Sequence, residues 1–333
     1  MKNTVSLKPY NTFGIDVYAK DIVYIRQNED ITQFLHSWDG KIPFYVIGEG
    51  SNVLFTKDYD GIILKMETKG IEIVSKTDKT VIIKAKAGEN WDEFVRYCLS
   101  NNYCGLENLA LIPGKVGSCP IQNVGAYGKE VKDFITKVYA ISVSDRAVRM
   151  FENQDCQFGY RTSIFKQEKK GQYIITDVEF RLNVDAVPDI SYADIQNELQ
   201  GIAPINAQHV YDAVSQIRTR KLPDYKKFGN AGSFFKNPVV GLPHFEKLKE
   251  KYAGLKSYPF SENECKLSAA QLIELSGWKG SRVGEAGVFN TQPLVLVNYG
   301  NATGKDILNV ATQIQNAVYK LFTVKLEIEV NIV

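Results

Sequence analysis

Residues 105–128 constrain this chain more than any other stretch. They hold five glycines and two prolines but only two charged residues, Glu107 and Lys115. A segment of that length without helical or strand periodicity is normally functional or disordered. Its low charge and apolar content argue against disorder. The chain must therefore follow a fixed path here, with glycines where the backbone passes close to a neighbour. A rigid structural Ω-like loop and a ligand-lining wall both satisfy that description.

The flanking pattern is a mixture of short β-branched runs and amphipathic helices. Strands are predicted over 23–25, 43–47, 61–64, 71–74, 80–87, 137–143, 147–151 and 172–182, and helices over 30–38 and 90–99. Residues 188–207 form an excursion around a short helix at 192–199. A helix over 208–221 is closed by Leu222-Pro223-Asp224, and a smaller α+β unit follows. In its last helix, Thr303 and Asp306 make a capping-box-like start, and Ile307, Val310, Ile314, Val318 and Leu321 form one apolar stripe. A strand is predicted over 324–330. The length of 333 residues suits two or three packed units.

Charge excludes several functions. Forty Lys plus Arg against 38 Asp plus Glu leave a net of +2, too even for a broad nucleic-acid face. No apolar run approaches the roughly 20 residues of a membrane helix, and residues 1–9 lack a signal-peptide core. The five cysteines are scattered without a C-x-x-C pair, as expected of free thiols in a reducing cytoplasm. The three histidines, His36, His209 and His244, have no metal-ligand spacing, so no metal is expected. Proton chemistry would fall to Ser, Tyr, Lys or Glu.

Five groups of residues could carry chemistry. Gly48-Glu49-Gly50-Ser51-Asn52 follows a strand and presents backbone N–H groups suited to a pyrophosphate. Val53 stands where a dinucleotide fingerprint has its third glycine, and an ordinary hairpin turn would look the same. The wall 113–128 offers Ser118, Gln122 and Asn123 for neutral hydrogen bonds and Tyr127 as an amphipathic surface. Tyr160-Arg161, beside Gly159, could present a guanidinium to a carboxylate or phosphate, although most arginines are surface charges. Ser233, between Gly232 and Phe234-Phe235, could be a rigid proton donor or a plain turn residue. It is not a G-x-S-x-G elbow, and no His serves it as base. Glu327 and Glu329 share a strand face, where a carboxylate is either solvated or, in a cleft, an acid.

In order and wording these pieces are specific: N-T-F-G at 11–14, G-E-G-S-N at 48–52, P-G-x-V-G-S-x-P-I-Q-N-x-G-A-Y-G at 113–128, F-G-Y-R-x-S at 158–163, G-N-A-G-S-F-F-K-N-P at 229–238 and L-E-x-E-V at 326–330. Over essentially its whole length the chain resembles the UDP-N-acetylenolpyruvoylglucosamine reductase (MurB) family.

The resemblance implies an α+β protein. Its FAD-binding region, of the vanillyl-alcohol-oxidase (PCMH) type, spans 1–220 as subdomains of about 1–68 and 69–220. An α+β domain at 221–333 takes the UDP-sugar. Non-covalent FAD is expected on Gly48, Glu49, Gly50, Ser51, Asn52 and Val53, and on Pro113, Gly117, Ser118, Gln122, Asn123, Gly125, Ala126 and Tyr127. The catalytic trio maps onto Arg161, Ser233 and Glu329. Substrate contacts map onto Tyr160, Tyr192, Lys221, Asn237, Tyr258 and Gln292. Ser191-Tyr192-Ala193-Asp194 and Tyr258 resemble the subtype in which a mobile loop and a Tyr close over the sugar. Gln292 stands in Asn290-Thr291-Gln292-Pro293, away from the family's usual wording.

The implied activity is NADPH-dependent, FAD-mediated reduction of the enolpyruvyl ether of UDP-N-acetylglucosamine enolpyruvate, giving UDP-N-acetylmuramate. This step belongs to peptidoglycan precursor synthesis, and so to cell-wall biogenesis, cell shape and division. A cytoplasmic enzyme of a small-molecule substrate is implied, with no nucleic acid, no membrane and no required oligomer. Two rivals are an oxidase or dehydrogenase of small alcohols on the same flavin fold, and a non-catalytic UDP-sugar or flavin binder. The flavin loops hold no His to tether a cofactor covalently.

Overall fold

The computed structural model describes residues 4–333, so the first three residues of the N-terminal segment read above lie outside the described residues. The chain forms two compact units, each with its own core. The larger holds Lys20–Glu49 and Asp60–Arg220. The smaller holds the described residues up to Ala19, Gly50–Tyr59 and Lys221–Val333.

The larger unit is built on an antiparallel sheet with the strand order Val148–Glu152, Ile135–Ser142, Tyr173–Val184, Thr80–Lys86 and Ile71–Lys76. Tyr173–Val184 is central, with Val178 opposite Val138 on one side and Ala85 on the other. Seven consecutive residues of this strand, 174–180, are buried, so both faces of the sheet are covered there. The helix Trp91–Ser100 packs on this sheet. Trp91, Phe94, Val95 and Cys98 recur at helical spacing and are all buried, and Phe94 meets Phe180 with ring centroids 5.1 Å apart. Each such side chain contributes roughly 1.5–3 kcal/mol by leaving water. The helix starts where Asn90 Oδ1 accepts from the Glu93 N–H at 3.0 Å. Phe44–Ile47 pairs in parallel with the strand ending at Met66, Phe44 facing Ile62, and covers the helix Asn28–Ser37 through Phe34.

The smaller unit gathers on the helix Gly304–Phe322. Its capping box is present, with the Asp306 N–H donating to Thr303 Oγ1 at 3.2 Å. Ile307, Val310, Ile314 and Val318 are buried as the stripe predicts, whereas Leu321 is exposed and Phe322 takes the inward place. Two three-stranded sheets accompany it: Val239–Gly241, Glu264–Leu267 and Ser257–Pro259, and Arg282–Val283, Ala286–Val288 and Leu296–Asn298.

The strand predicted over 324–330 is only partly regular. A single bridge joins Ile328 to Phe235, and the regular pairing comes later, where Asn331–Ile332 runs parallel to Val53–Leu54. Pro238 explains the short ladder, since it has no N–H to continue the pairing of 233–236.

Candidate active site

In the larger unit, Phe44–Ile47 delivers Gly48 and Glu49. The Glu49 carboxylate accepts from Asn90 Nδ2 at 2.6 Å and from the Gly114 N–H at 3.0 Å, with Lys115 Nζ 3.6 Å away. Lys65 Nζ donates to the Gly48 carbonyl. Burial and then the neighbouring Lys115 charge push the Lys65 pKa down. The loop that follows is zipped to the segment before the helix Trp91–Ser100. Trp91 N–H donates to Gly114 O (3.0 Å), Val116 N–H to Glu89 O (2.9 Å) and Gly117 N–H to Ala87 O (2.9 Å). A Cβ on Gly117 would lie 2.5 Å from that of Ala87. The glycine is thus required by the protein's own packing, and these amide donors are already engaged. Ser118 Oγ is likewise engaged, donating to Lys115 O at 2.7 Å.

Further along, Asn123 is fully buried and its side chain is a hub. Its Nδ2 donates to Glu130 Oε2 (2.9 Å) and Gly159 O (3.0 Å), and its Oδ1 accepts from the Lys132 N–H (3.1 Å). Arg161 sits at φ +55°, a left-handed conformation in which a residue with a Cβ is strained. Its guanidinium donates to Gly125 O at 2.6 Å and to Asn123 O at 3.4 Å. The structure therefore brings Arg161 to the Asn123–Gly125 part of the wall. Its guanidinium also lies 5.5 Å from the Tyr160 ring centroid. Tyr127 packs edge-on against Tyr192 with centroids 5.3 Å apart, and its hydroxyl faces the Arg218 guanidinium. Burial pushes the Tyr127 phenol up, and Arg218 acts in the opposite sense. Gln122 Oε1 lies 3.4 Å from Lys166 Nζ.

Two residues of this unit escaped the sequence reading. Asn108, between Glu107 and Leu109 in the chain, is buried and donates to Tyr127 O (3.1 Å) and Asp189 O (3.2 Å), while its Oδ1 is enclosed without a partner. Arg218 also has an enclosed, unpartnered Nε. A signal for it existed. It lies four residues after Val214 and seven after Tyr211, on the apolar stripe of Ala207–Lys221, where a charge is out of place.

In the smaller unit, Gly50 has φ +67°, and a Cβ there would fall 2.0 Å from Tyr10 O. The Asn331 N–H and Nδ2 donate to Asn52 O at 3.2 and 2.9 Å, and buried Val53 pairs with Asn331. Ser233 is exposed but rigidly mounted. Gly232 turns at φ +69° on the buried Asn230, whose Oδ1 accepts the Gly232 N–H at 3.0 Å, and Phe234 and Phe235 anchor the other side. The Glu329 N–H donates to Phe234 O at 2.8 Å and the Lys236 N–H to Glu327 O at 2.9 Å. The serine and Glu329 segments therefore run side by side. Glu327, by contrast, is solvated and paired to Lys236 at 3.0 Å. Asn237 Oδ1 accepts from the Ala269 N–H (3.0 Å), at the first residue of the helix Ala269–Leu275. Lys221 O accepts from Thr291 Oγ1 (3.1 Å), Tyr258 is exposed, and Gln292 Oε1 is enclosed without a partner.

Among the described residues no helix is long and apolar enough to cross a membrane, and no His/Cys/Asp/Glu group could hold a metal ion. All five cysteines are free and buried.

Residues 223–333 match the family described as UDP-N-acetylenolpyruvoylglucosamine reductase, C-terminal domain, and residues 19–150 match the FAD binding domain family. The UDP-N-acetylenolpyruvoylglucosamine reductase of Flavobacterium johnsoniae is 44% identical, covering 100% of this chain and 99% of that protein. That of Pseudomonas aeruginosa is 44% identical, covering 98% and 97%. The chain belongs to the UDP-N-acetylenolpyruvoylglucosamine reductase family. A crystal structure of the reductase (MurB) from Thermus caldophilus shares the α+β fold, with a TM-score of 0.70 at 22% identity over 99% of this chain and 98% of that one.

The reductase family's FAD can be tested against the residues present. Near Tyr127 the larger unit holds an enclosed orphan acceptor, Asn108 Oδ1, and an enclosed orphan donor, Arg218 Nε. A flavin carries both N–H donors and carbonyl and phosphate acceptors, so its chemistry matches that pair. The residues fit the group.

Proposed function

We propose that this chain carries out the NADPH-dependent, FAD-mediated reduction of the enolpyruvyl ether of UDP-N-acetylglucosamine enolpyruvate to UDP-N-acetylmuramate. The observation that carries the reading is the antiparallel placement of 233–236 beside 327–329. It holds an exposed, rigid serine and a half-buried glutamate on adjacent segments. Full-length similarity to reductases of that name supports it.

When bound, FAD supplies the hydride chemistry, with NADPH as reductant. Gly48, residues 50–53 and the 113–127 loop, with Asn108 and Arg218, are assigned to holding it, with Glu49 as part of that turn's own scaffold. The substrate double bond is conjugated to a carboxylate, so negative charge develops on C2 and spreads into that carboxylate. Arg161, already preorganised by two carbonyls, is assigned to stabilising this charge as it forms, together with Glu329, whose carboxyl donates a hydrogen bond in its protonated form. Ser233 Oγ is assigned to protonating C2, a downhill transfer because a carbanion is far more basic than an alkoxide. Lys221 favours the resulting alkoxide or a substrate phosphate. Tyr160, Tyr192, Asn237, Tyr258 and Gln292 are assigned to binding and enclosing the UDP-sugar. The enzyme works in the cytoplasm on this small molecule, with no membrane, nucleic acid or obligatory partner.

The test is to purify the protein, record its flavin spectrum, and follow NADPH oxidation with and without the enolpyruvyl sugar. Oxidation that depends on the sugar, with FAD released on denaturation, is expected. NADPH consumption independent of the sugar overturns the reading.

A further inference from the structure

A carboxylate inside a turn assigned to a diphosphate is chemically out of place, since two anions repel. The position of Glu49 removes the difficulty. Its oxygens face protein donors, Asn90 Nδ2 at 2.6 Å and the Gly114 N–H at 3.0 Å, with Lys115 Nζ at 3.6 Å. Asn90 is itself fixed, because its Oδ1 caps the helix Trp91–Ser100 at 3.0 Å while its Nδ2 reaches Glu49. The Gly114 carbonyl is held from the other side by the Trp91 N–H at 3.0 Å. Glu49 thus joins the end of the strand-fed turn to the start of the glycine-lined loop, segments 65 residues apart in the chain.

We propose that Glu49 is a positioning residue: its carboxylate staples the 48–49 turn to the 113–117 loop, aimed by Asn90, and does not itself touch the flavin. The inference rests on the flavin reading above and refines how those two loops are held in register. Hydrogen bonds to a charged group are stronger than those between neutral groups. What matters here is reach rather than charge. Glutamine has a single acceptor at the same reach, which can keep the Gly114 N–H while its own NH2 group gives up the Asn90 bond, whereas aspartate keeps both acceptors and the charge but is one methylene too short.

The experiment uses E49Q and E49D, each compared with wild type in two measurements. The first is FAD affinity by reconstitution of the apoprotein. The second is amide hydrogen exchange at Gly114 in the apoprotein, where no flavin contributes. Expected are an E49Q protein with Gly114 exchange within about fivefold of wild type and FAD affinity weakened no more than about tenfold, and an E49D protein with FAD affinity weakened about 10- to 100-fold and Gly114 exchange accelerated by at least about tenfold. The reverse ranking, with aspartate better than glutamine, overturns the proposal in favour of a charge role. Unchanged Gly114 exchange in both variants overturns it too, whatever the affinities do. A wild-type protein that takes up no FAD overturns the flavin reading and this proposal together. A wild type that binds FAD, together with the reverse ranking or with unchanged Gly114 exchange, overturns the staple alone.

Discussion

The guanidinium of Arg161 donates to the carbonyl of Gly125 at 2.6 Å, across 36 residues of sequence, from a backbone held at φ +55°. One planar group reaches two carbonyls, those of Gly125 and Asn123, and a lysine ammonium cannot copy that fork. Arg161→Lys is therefore expected to lower the rate of enolpyruvyl reduction by at least about 100-fold, the scale of losing a preorganised donor to developing charge. Flavin reduction by NADPH should stay within a few-fold. Stopped-flow measurement of the two half-reactions checks the split. Equal losses in both would mean that Arg161 serves only to hold the loop.

Ser233 makes a complementary case. It is exposed, and its turn depends on Gly232 and Asn230 rather than on its own hydroxyl. Ser233→Ala should leave thermal stability within about 0.5 kcal/mol, as for a surface change. The same substitution should slow product formation about 10²–10⁴-fold while flavin still bleaches with NADPH.

What the sequence made legible was local. The last helix declares itself because Thr303, Asp306 and the apolar stripe lie within one helical repeat, and Asn90 with Trp91, Phe94 and Val95 declares another. Leu321 was misplaced because the stripe drifts around the helix and Phe322 fills the inward position. The strand over 324–330 failed for a non-local reason, since its pairing depends on what Pro238 allows in a segment some 90 residues earlier. The glycine-lined wall was recognisable by composition, but not that Ala87 and Glu89 would take its amides. Arg161 was visible as a motif, yet its partners Asn123 and Gly125 were not. Asn108, which follows Glu107 directly, left no signal in the sequence, whereas Arg218 left one that periodicity could have caught.

Two glycines of the smaller unit separate conformational strain from collision. Gly14 has φ +64° with open space around a would-be Cβ, whereas Gly50 combines φ +67° with Tyr10 O only 2.0 Å away. Gly14→Ala should cost about 1 kcal/mol from the left-handed backbone alone. Gly50→Ala must also push the 10–11 backbone aside, and more than about 3 kcal/mol is expected, with loss of soluble protein at growth temperature. Thermal melts of the two variants side by side give the comparison. Equal melting temperatures would show that the 48–53 turn is not packed as described.

The excursion that carries Tyr192 begins at an ion pair whose pH dependence has a definite sign. Lys129 Nζ lies 2.6 Å from Asp189 Oδ2, and the Ser191 N–H donates to Asp189 Oδ1 at 2.8 Å. These hydrogen bonds, Lys129 first, hold the Asp189 carboxyl at about 2, below its ordinary 3.8. A folded value below the unfolded one adds stability at pH above about 4, and that stability is lost as the pH falls toward 2. Both side chains are about one-third exposed, so solvent and salt screen the pair and the effect is a modest one. Between pH 5 and pH 2 the protection factor of the Ser191 amide should fall several-fold, more at low salt than in 0.5 M salt. In Asp189→Asn the amide keeps an acceptor but Lys129 loses its charge partner, so the protection factor should be lower at pH 5 and nearly flat with pH. A wild-type protection factor that is flat over the same range would mean that the start of the excursion is held by Asn108 and its bond to the Asp189 carbonyl at 3.2 Å, not by the ion pair.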